Sequence, residues 1–178
     1  MSNSGLTLNL GSGKDYRDDC LNADIRPDVG ADWVVDISDL HIGGIVKWKD
    51  NYIPIKRGGF ERIIAFDVLE HIPNLVKAMT NCRDLLADGG EMHIVVPYEL
   101  SLGAWQDPTH VRAFNENSWV YYCGWHWYLG WKDHRFDVTH LDYKLSEYGK
   151  TLELGLDELL RTPRTVDSMY VVLRKIPV

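Results

Sequence analysis

Cysteine is scarce. Cys20, Cys82 and Cys123 stand far apart with no Cys-x-x-Cys pair, which excludes a disulfide framework and gives no structural zinc spacing. No apolar run approaches the roughly 20 residues of a membrane span, and no basic-then-apolar leader opens the chain, so a cytoplasmic location without a membrane partner is expected. Positive charge is also in deficit: 19 Lys and Arg face 26 Asp and Glu, for a net −7. That balance disfavours broad contact with a nucleic-acid backbone. Internal repeats, low-complexity tracts and linker-like stretches are absent, so residues 1–178 are expected to form a single domain. Phenylalanine is sparse at four, against seven Trp and nine Tyr, with most of the tryptophans falling between Trp105 and Trp131.

What is present suits an α/β protein large enough to bury a core. Short apolar strand candidates run over Leu6–Leu10, Leu21–Asp24, Trp33–Asp36, Arg62–Phe66 and Glu91–Val96. Leu75, Val76, Met79, Cys82, Leu85 and Leu86 recur at helical spacing, which predicts a helix beginning after Pro73 and stopping at Gly89-Gly90. The stretch from Pro97 to Trp131 is irregular and aromatic, with one short helix from about Glu116 to Tyr122. Strands near Phe136–Leu145 and Ser168–Lys175 should form an antiparallel edge pair. The first crossover, between Gly13 and Asp24, has room for a helix of only a turn or two.

Open α/β sheets bind ligands at the carboxyl ends of their strands, and four strand ends here carry suitable groups. Gly11-Ser12-Gly13 follows the first with backbone amides and little bulk. Asp24 ends the second, where a carboxylate can accept two ribose hydroxyls. Asp36-Ile37 follows the third and could pair an exocyclic amine while covering an adenine face. Phe66-Asp67-Val68-Leu69-Glu70-His71-Ile72-Pro73 turns from the fourth strand into the helix.

Taken in order, Leu-Asn-Leu-Gly-Ser-Gly, Asn-Ala-Asp-Ile, Val-Val-Asp-Ile and Asp-Val-Leu-Glu-His-Ile-Pro resemble the class I S-adenosylmethionine-dependent methyltransferases, in particular the small methyltransferase 11-like proteins of bacterial or phage type. Leu85 to Pro97 and Asp107-Pro108-Thr109-His110-Val111-Arg112-Ala113-Phe114 resemble later segments of the same family. The resemblance implies a Rossmann-like, doubly wound, seven-stranded sheet with an antiparallel last strand and three αβα layers, here with an abbreviated first helix. It implies S-adenosylmethionine as cofactor and S-adenosylhomocysteine as product. By motif, Leu10, Gly11, Ser12 and Gly13 would flank the methionine part, Asp24 and Ile25 the ribose, and Asp36 and Ile37 the adenine. Phe66, Asp67 and Leu69 would line the side facing the methyl group. The chain departs from the family at Asn9, often acidic there, and at Lys14, where a third glycine is common. A covering N-terminal helix like that of many relatives is not expected, since the first strand candidate starts at Leu6.

The expected activity is methyl transfer to an O or N atom of a small acceptor, a saccharide or nucleotide-linked one being compatible, with no metal required. His110 is the first candidate for a general base, followed by His71 and Tyr98; Asp107, Arg112 and Trp125 are candidates for acceptor binding. Against these stand structural readings, in which Glu70 and His71 merely open a helix and Asp107 and His110 merely form a turn. The aromatic insertion, about residues 98–133, could be a packed lid, a stacking surface or a homodimer contact. Base methylation is disfavoured because the fourth strand end lacks Asn/Asp-Pro-Pro-Tyr/Phe. The rival class is a non-catalytic cofactor-binding or interaction protein using the aromatic segment. A nicotinamide oxidoreductase fits worse, since Arg17 stands near the third glycine of that fingerprint.

Overall fold

The computed structural model describes residues 5–178. Nine strands are present among them: β1 (Thr7–Leu10), β2 (Leu21–Asp24), β3 (Trp33–Val34), β4 (Ile45–Trp48), β5 (Asn51–Pro54), β6 (Phe60–Phe66), β7 (Leu86–Pro97), β8 (His134–Leu145) and β9 (Val166–Pro177). Seven build one sheet in the order β3-β2-β1-β6-β7-β9-β8, and β4 pairs β5 in a separate hairpin. The strands from β3 to β7 are parallel, whereas β9 runs antiparallel to both neighbours. This is the expected doubly wound sheet with an antiparallel last strand. One refinement concerns position: β9 is inserted between β7 and β8, so β8 alone forms that edge.

Burial explains the central strands. All four residues of β2 and three of the four in β1 are buried, as parallel strands covered on both faces require. Helix α1 (Leu75–Leu85) turns Leu75, Ala78, Met79, Cys82 and Leu85 into the core, and the Asn74 side chain caps it by accepting from the Lys77 amide at 3.2 Å. It ends sooner than the sequence predicts, because Leu86 is already extended and opens β7. Gly90 answers a different need. A Cβ there would lie 2.9 Å from the Ala87 carbonyl and 3.0 Å from that of Glu61, so it lets β6 and β7 approach.

The αβα layering is thin. The other α-helices, α2 (Gly103–Gln106), α3 (Glu147–Lys150) and α4 (Leu156–Arg161), are one or two turns each. The first crossover has no helix, and residues 11–20 form turns instead. Two buried asparagines hold them. Asn9 Nδ2 donates to the Asp15 carbonyl at 2.7 Å and to Asn22 Oδ1 at 3.0 Å. Asn22 Oδ1 also accepts from the Arg17 amide at 2.9 Å, and its Nδ2 donates to the carbonyls of Arg17 and Cys20. These side chains satisfy backbone groups that a helix would have satisfied internally, so Asn9 faces the crossover and not the cleft.

The aromatic segment divides in two. Phe114, Trp119, Tyr122 and Trp131 join the core, and Trp131 Nε1 donates to Thr80 Oγ1 at 3.1 Å, fastening the segment to α1. Trp105, Trp125, Trp127 and Tyr128 remain exposed. Among the described residues, no helix is long and apolar enough to cross a membrane.

Candidate active site

At the carboxyl ends of β1, β2, β3 and β6 lies a cleft of about 510 Å³. Its lining includes Leu10, Gly11, Asp24, Ile25, Asp36, Ile37, Asp67 and His71, eight of the residues singled out from sequence. Asp24 is its best-defined group. The carboxylate is buried, Oδ2 accepts from the Gly13 amide at 2.8 Å and Oδ1 from the Arg26 amide at 2.9 Å. A carboxylate offers about four acceptor positions, so Asp24 fixes the glycine turn and still has capacity for hydroxyl groups. Asp36 caps the short turn Ile37–Asp39 by accepting from the Ser38 amide and hydroxyl through Oδ1, which leaves Oδ2 free. Val35, Ile37, Val68, Ile72 and Pro73 supply apolar walls.

Gly11 has a second purpose beside the one read off the sequence. Its φ is +64°, and a Cβ would come 2.3 Å from Val68 Cγ2. The glycine thus makes room for Val68, which closes over it, in addition to any ligand. Four expected contacts fall away from the cleft. Ser12 is buried behind the loop, Gly13 turns its amide to Asp24, and Leu69 is wholly in the core. Phe66 points to the opposite face, with the Arg17 guanidinium 5.2 Å from its ring centre. The residues missed are Arg26, Val35, Val68, Ile72, Pro73 and Thr109. Ile72 and Pro73 belong to the turn read from sequence, whereas Thr109 arrives from a distant loop.

A second cleft, about 630 Å³, lies beyond Asp67 and is lined by Asp67, Gln106, Asp142, Tyr143, Lys144, Ser168 and Tyr170 among others. Asp67 lines both clefts. Its backbone is held in the left-handed region, φ +54°, by the Asp67 amide bonding the Val95 carbonyl at 2.9 Å, a conformation uncommon for a non-glycine residue. Although the side chain opens into the clefts, crowding by their walls raises its carboxyl above the usual range, opposed by His110, His71 and Lys144.

The acid–base candidates separate on inspection. His71 lines the first cleft and shares a hydrogen bond with Thr109 Oγ1 at 2.9 Å. His110 lines neither cleft: its Nδ1 meets the Ala104 carbonyl at 3.0 Å and its ring packs edge-on to His71 at 4.6 Å. Tyr98 is buried, and its hydroxyl lies between two acceptors, Glu116 Oε2 at 3.0 Å and the Leu160 carbonyl at 3.2 Å. Desolvation raises its pKa, and it packs in the core, lining neither cleft. Glu70 is 1% exposed, neither carboxylate oxygen has a hydrogen-bond partner, and burial pushes its pKa up to about 7.

The proposed acceptor ligands also move. Arg112 donates to the carbonyls of Ile72 and Pro73, both at 2.8 Å, and braces the turn into α1. Asp107 accepts from the Thr109 amide and hydroxyl. Trp125 stands half exposed against Tyr121, apart from both clefts. None of the three borders the second cleft.

No family model and no curated protein matches the chain in sequence. Solved structures do match in shape. An S-adenosylmethionine-dependent methyltransferase from Archaeoglobus fulgidus superposes with a TM-score of 0.62 at 14% identity, covering 97% of this chain and 87% of that one. One from Methanosarcina mazei gives 0.61 at 12% identity, with 99% and 94% covered. A Haloferax volcanii putative methyltransferase, crystallised with the Trm112 methyltransferase activator, gives 0.58 at 13% identity, with 96% and 82% covered. The chain therefore has the Rossmann-like fold of S-adenosylmethionine-dependent methyltransferases.

Proposed function

We propose that the protein is an S-adenosylmethionine-dependent methyltransferase acting on an O or N atom of a small acceptor, with a hydroxylated saccharide or nucleotide-linked molecule as the preferred class. The carrying observation is that Asp67 lines both clefts, so a cofactor in one and an acceptor in the other would meet at a single carboxylate. The first cleft fits the cofactor by the chemistry of its donors. Asp24 retains acceptor capacity for a ribose diol, Asp36 has a free oxygen for an exocyclic amine, and Ile37 with Val35 offers an apolar face. Its volume lies within the usual range for small-molecule sites.

S-adenosylmethionine, held there, would supply an electrophilic sulfonium methyl that passes to an acceptor lone pair as its bond to sulfur breaks, with S-adenosylhomocysteine as the leaving group. The chain's contribution is then alignment, which is worth several kcal/mol and up to about 7–11 in model systems. In the second cleft, Lys144, Asp142, Ser168 and Tyr170 would orient hydroxyl or amine groups. Where the acceptor must shed a proton, Asp67 replaces His110 as the proposed base, because it reaches the cleft and its raised pKa strengthens it as a proton acceptor. Asp67→Asn should lower kcat by about 10²–10⁴-fold while S-adenosylhomocysteine affinity changes little. Equal activity in that variant would refute the assignment.

The exposed rings favour a second reading. Tyr121 meets Trp125 and Tyr128 edge-on, and Trp127 and Tyr128 project into solvent. Such a surface suits a protein contact, whether a second copy of this chain or another subunit. The Haloferax protein crystallised with an activator lends this support. A non-catalytic cofactor-binding subunit would bind S-adenosylhomocysteine and form a stable complex through these rings, without turnover on any acceptor.

A further inference from the structure

Beside the first cleft the fold assembles a group that the linear sequence separates. Glu70 and His71 sit on the short turn Leu69–His71 that follows β6, and His110 comes from the loop after α2. A backbone bond from the Val111 amide to the Glu70 carbonyl, 2.9 Å, holds loop and turn together. One donor atom from each of Glu70, His71 and His110 lies within 4.8 Å of the others.

The hydrogen bonds around the two imidazoles decide which nitrogens are free. Thr109 Oγ1 donates its single proton to Asp107 Oδ1 at 2.7 Å, so it must accept from His71 Nδ1 at 2.9 Å. The Ala104 carbonyl can only accept, so His110 Nδ1 carries a proton as well. In the neutral rings this leaves Nε2 of each without a proton and free to bind a metal. Metal-ligating histidines are commonly oriented in this way, with the other nitrogen donating to a carbonyl or to a group tied to a carboxylate.

Glu70 supplies the independent observation. Its side chain is 1% exposed, and both oxygens are buried without a hydrogen-bond partner. A buried carboxylate with nothing to neutralise it is costly, and no Lys or Arg pairs with it among the described residues. Asp67 and Asp107 lie close enough to act on the same histidines, which makes the surroundings more anionic still.

We propose that Glu70, His71 and His110 form a binding site for one divalent transition-metal cation. Two imidazoles and a carboxylate favour zinc or a neighbouring first-row ion over magnesium or calcium, which prefer all-oxygen sets. Three protein ligands leave coordination positions open, as in centres that bind a further ligand and unlike closed structural sites. Since His71 and Thr109 also line the 510 Å³ cleft, the site adjoins it. The proposal does not depend on the methyltransferase reading.

The test is titration of chelator-treated protein with Co²⁺ alone, read by its visible ligand-field absorption, followed by displacement with Zn²⁺. One equivalent should bind, and Zn²⁺ should displace it. His110→Ala and Glu70→Gln should each weaken binding at least about 100-fold, and Thr109→Val, which only frees the His71 ring, about tenfold. His41→Gln, at an exposed histidine elsewhere, should leave binding intact. Glu70→Gln keeps the side-chain shape and removes a buried charge, so its melting curve checks that lost binding is not lost folding. Absence of binding, or binding that survives in both His110→Ala and Glu70→Gln, overturns the site. The S-adenosylhomocysteine titration is run separately, so either result can fail alone.

Discussion

Two crossovers in this molecule perform the same topological task with opposite chemistry. From β6 to β7 the chain crosses by α1, whose Leu75, Ala78, Met79, Cys82 and Leu85 are buried against the sheet. From β1 to β2 it crosses with turns alone, pinned by the buried amides of Asn9 and Asn22. A helical crossover satisfies its own backbone and needs only an apolar stripe. A helix-free crossover needs specific polar partners at specific places. What it gains is a short, fixed glycine turn whose Gly13 amide is presented to Asp24 at the cleft. The helix serves stability, whereas the turns serve the site, and the two should respond differently to substitution.

The largest effect should come from the helix side. Met79→Ala removes a fully buried side chain and should cost about 2–5 kcal/mol of stability, seen in chemical denaturation, with S-adenosylhomocysteine affinity of the remaining folded protein unchanged. Gly11→Ala, on the turn side, meets both the left-handed backbone and Val68. A loss of about 1–3 kcal/mol is expected, together with weakened ligand binding, and Val68→Ala in the same chain should restore part of it. Asn22→Ala strips several buried backbone partners and should cost about 1–3 kcal/mol, again with loss of affinity. If Asn22→Ala leaves affinity intact while Met79→Ala lowers it, the division between the crossovers is wrong. Asn74→Ala removes only the α1 cap and should cost about 1 kcal/mol, without touching binding.

The smallest effect is a slope with pH. Burial holds the His93 pKa below its usual 6.5, and its Nδ1 meets the Tyr170 hydroxyl at 2.6 Å. The unfolded chain takes up a proton near pH 6.5 that the folded chain resists, so this residue makes stability fall as pH drops below about 7. His93→Gln should flatten that limb of the stability curve, and an unaltered slope would remove His93 from the account.

Much of this architecture was legible. Strand-end carboxylates at Asp24 and Asp36, with Gly11 at the end of the strand beside that of Asp24, marked the cleft because open parallel sheets concentrate ligand groups there. The errors have local causes. Asp67 takes φ +54°, so the alternation of β6 breaks after Phe66 and Val68 enters the cleft in place of Phe66 and Leu69. Tyr98 was misplaced despite an available signal, since Met92, Ile94 and Val96 all point inward and Tyr98 continues that alternation. The β4–β5 hairpin went unread because Lys49, not glycine, supplies its positive φ. The meeting of His110 with Glu70 and His71 was illegible along the chain, because tertiary structure alone brings that loop to the turn.

The most direct test of the central claim is calorimetric titration of the purified protein with S-adenosylhomocysteine, beside Asp24→Ala. The account predicts saturable micromolar binding that weakens by about 1–3 kcal/mol in the variant, with the fold retained in its melting curve. No binding to the intact protein, or equal binding by Asp24→Ala, would contradict it.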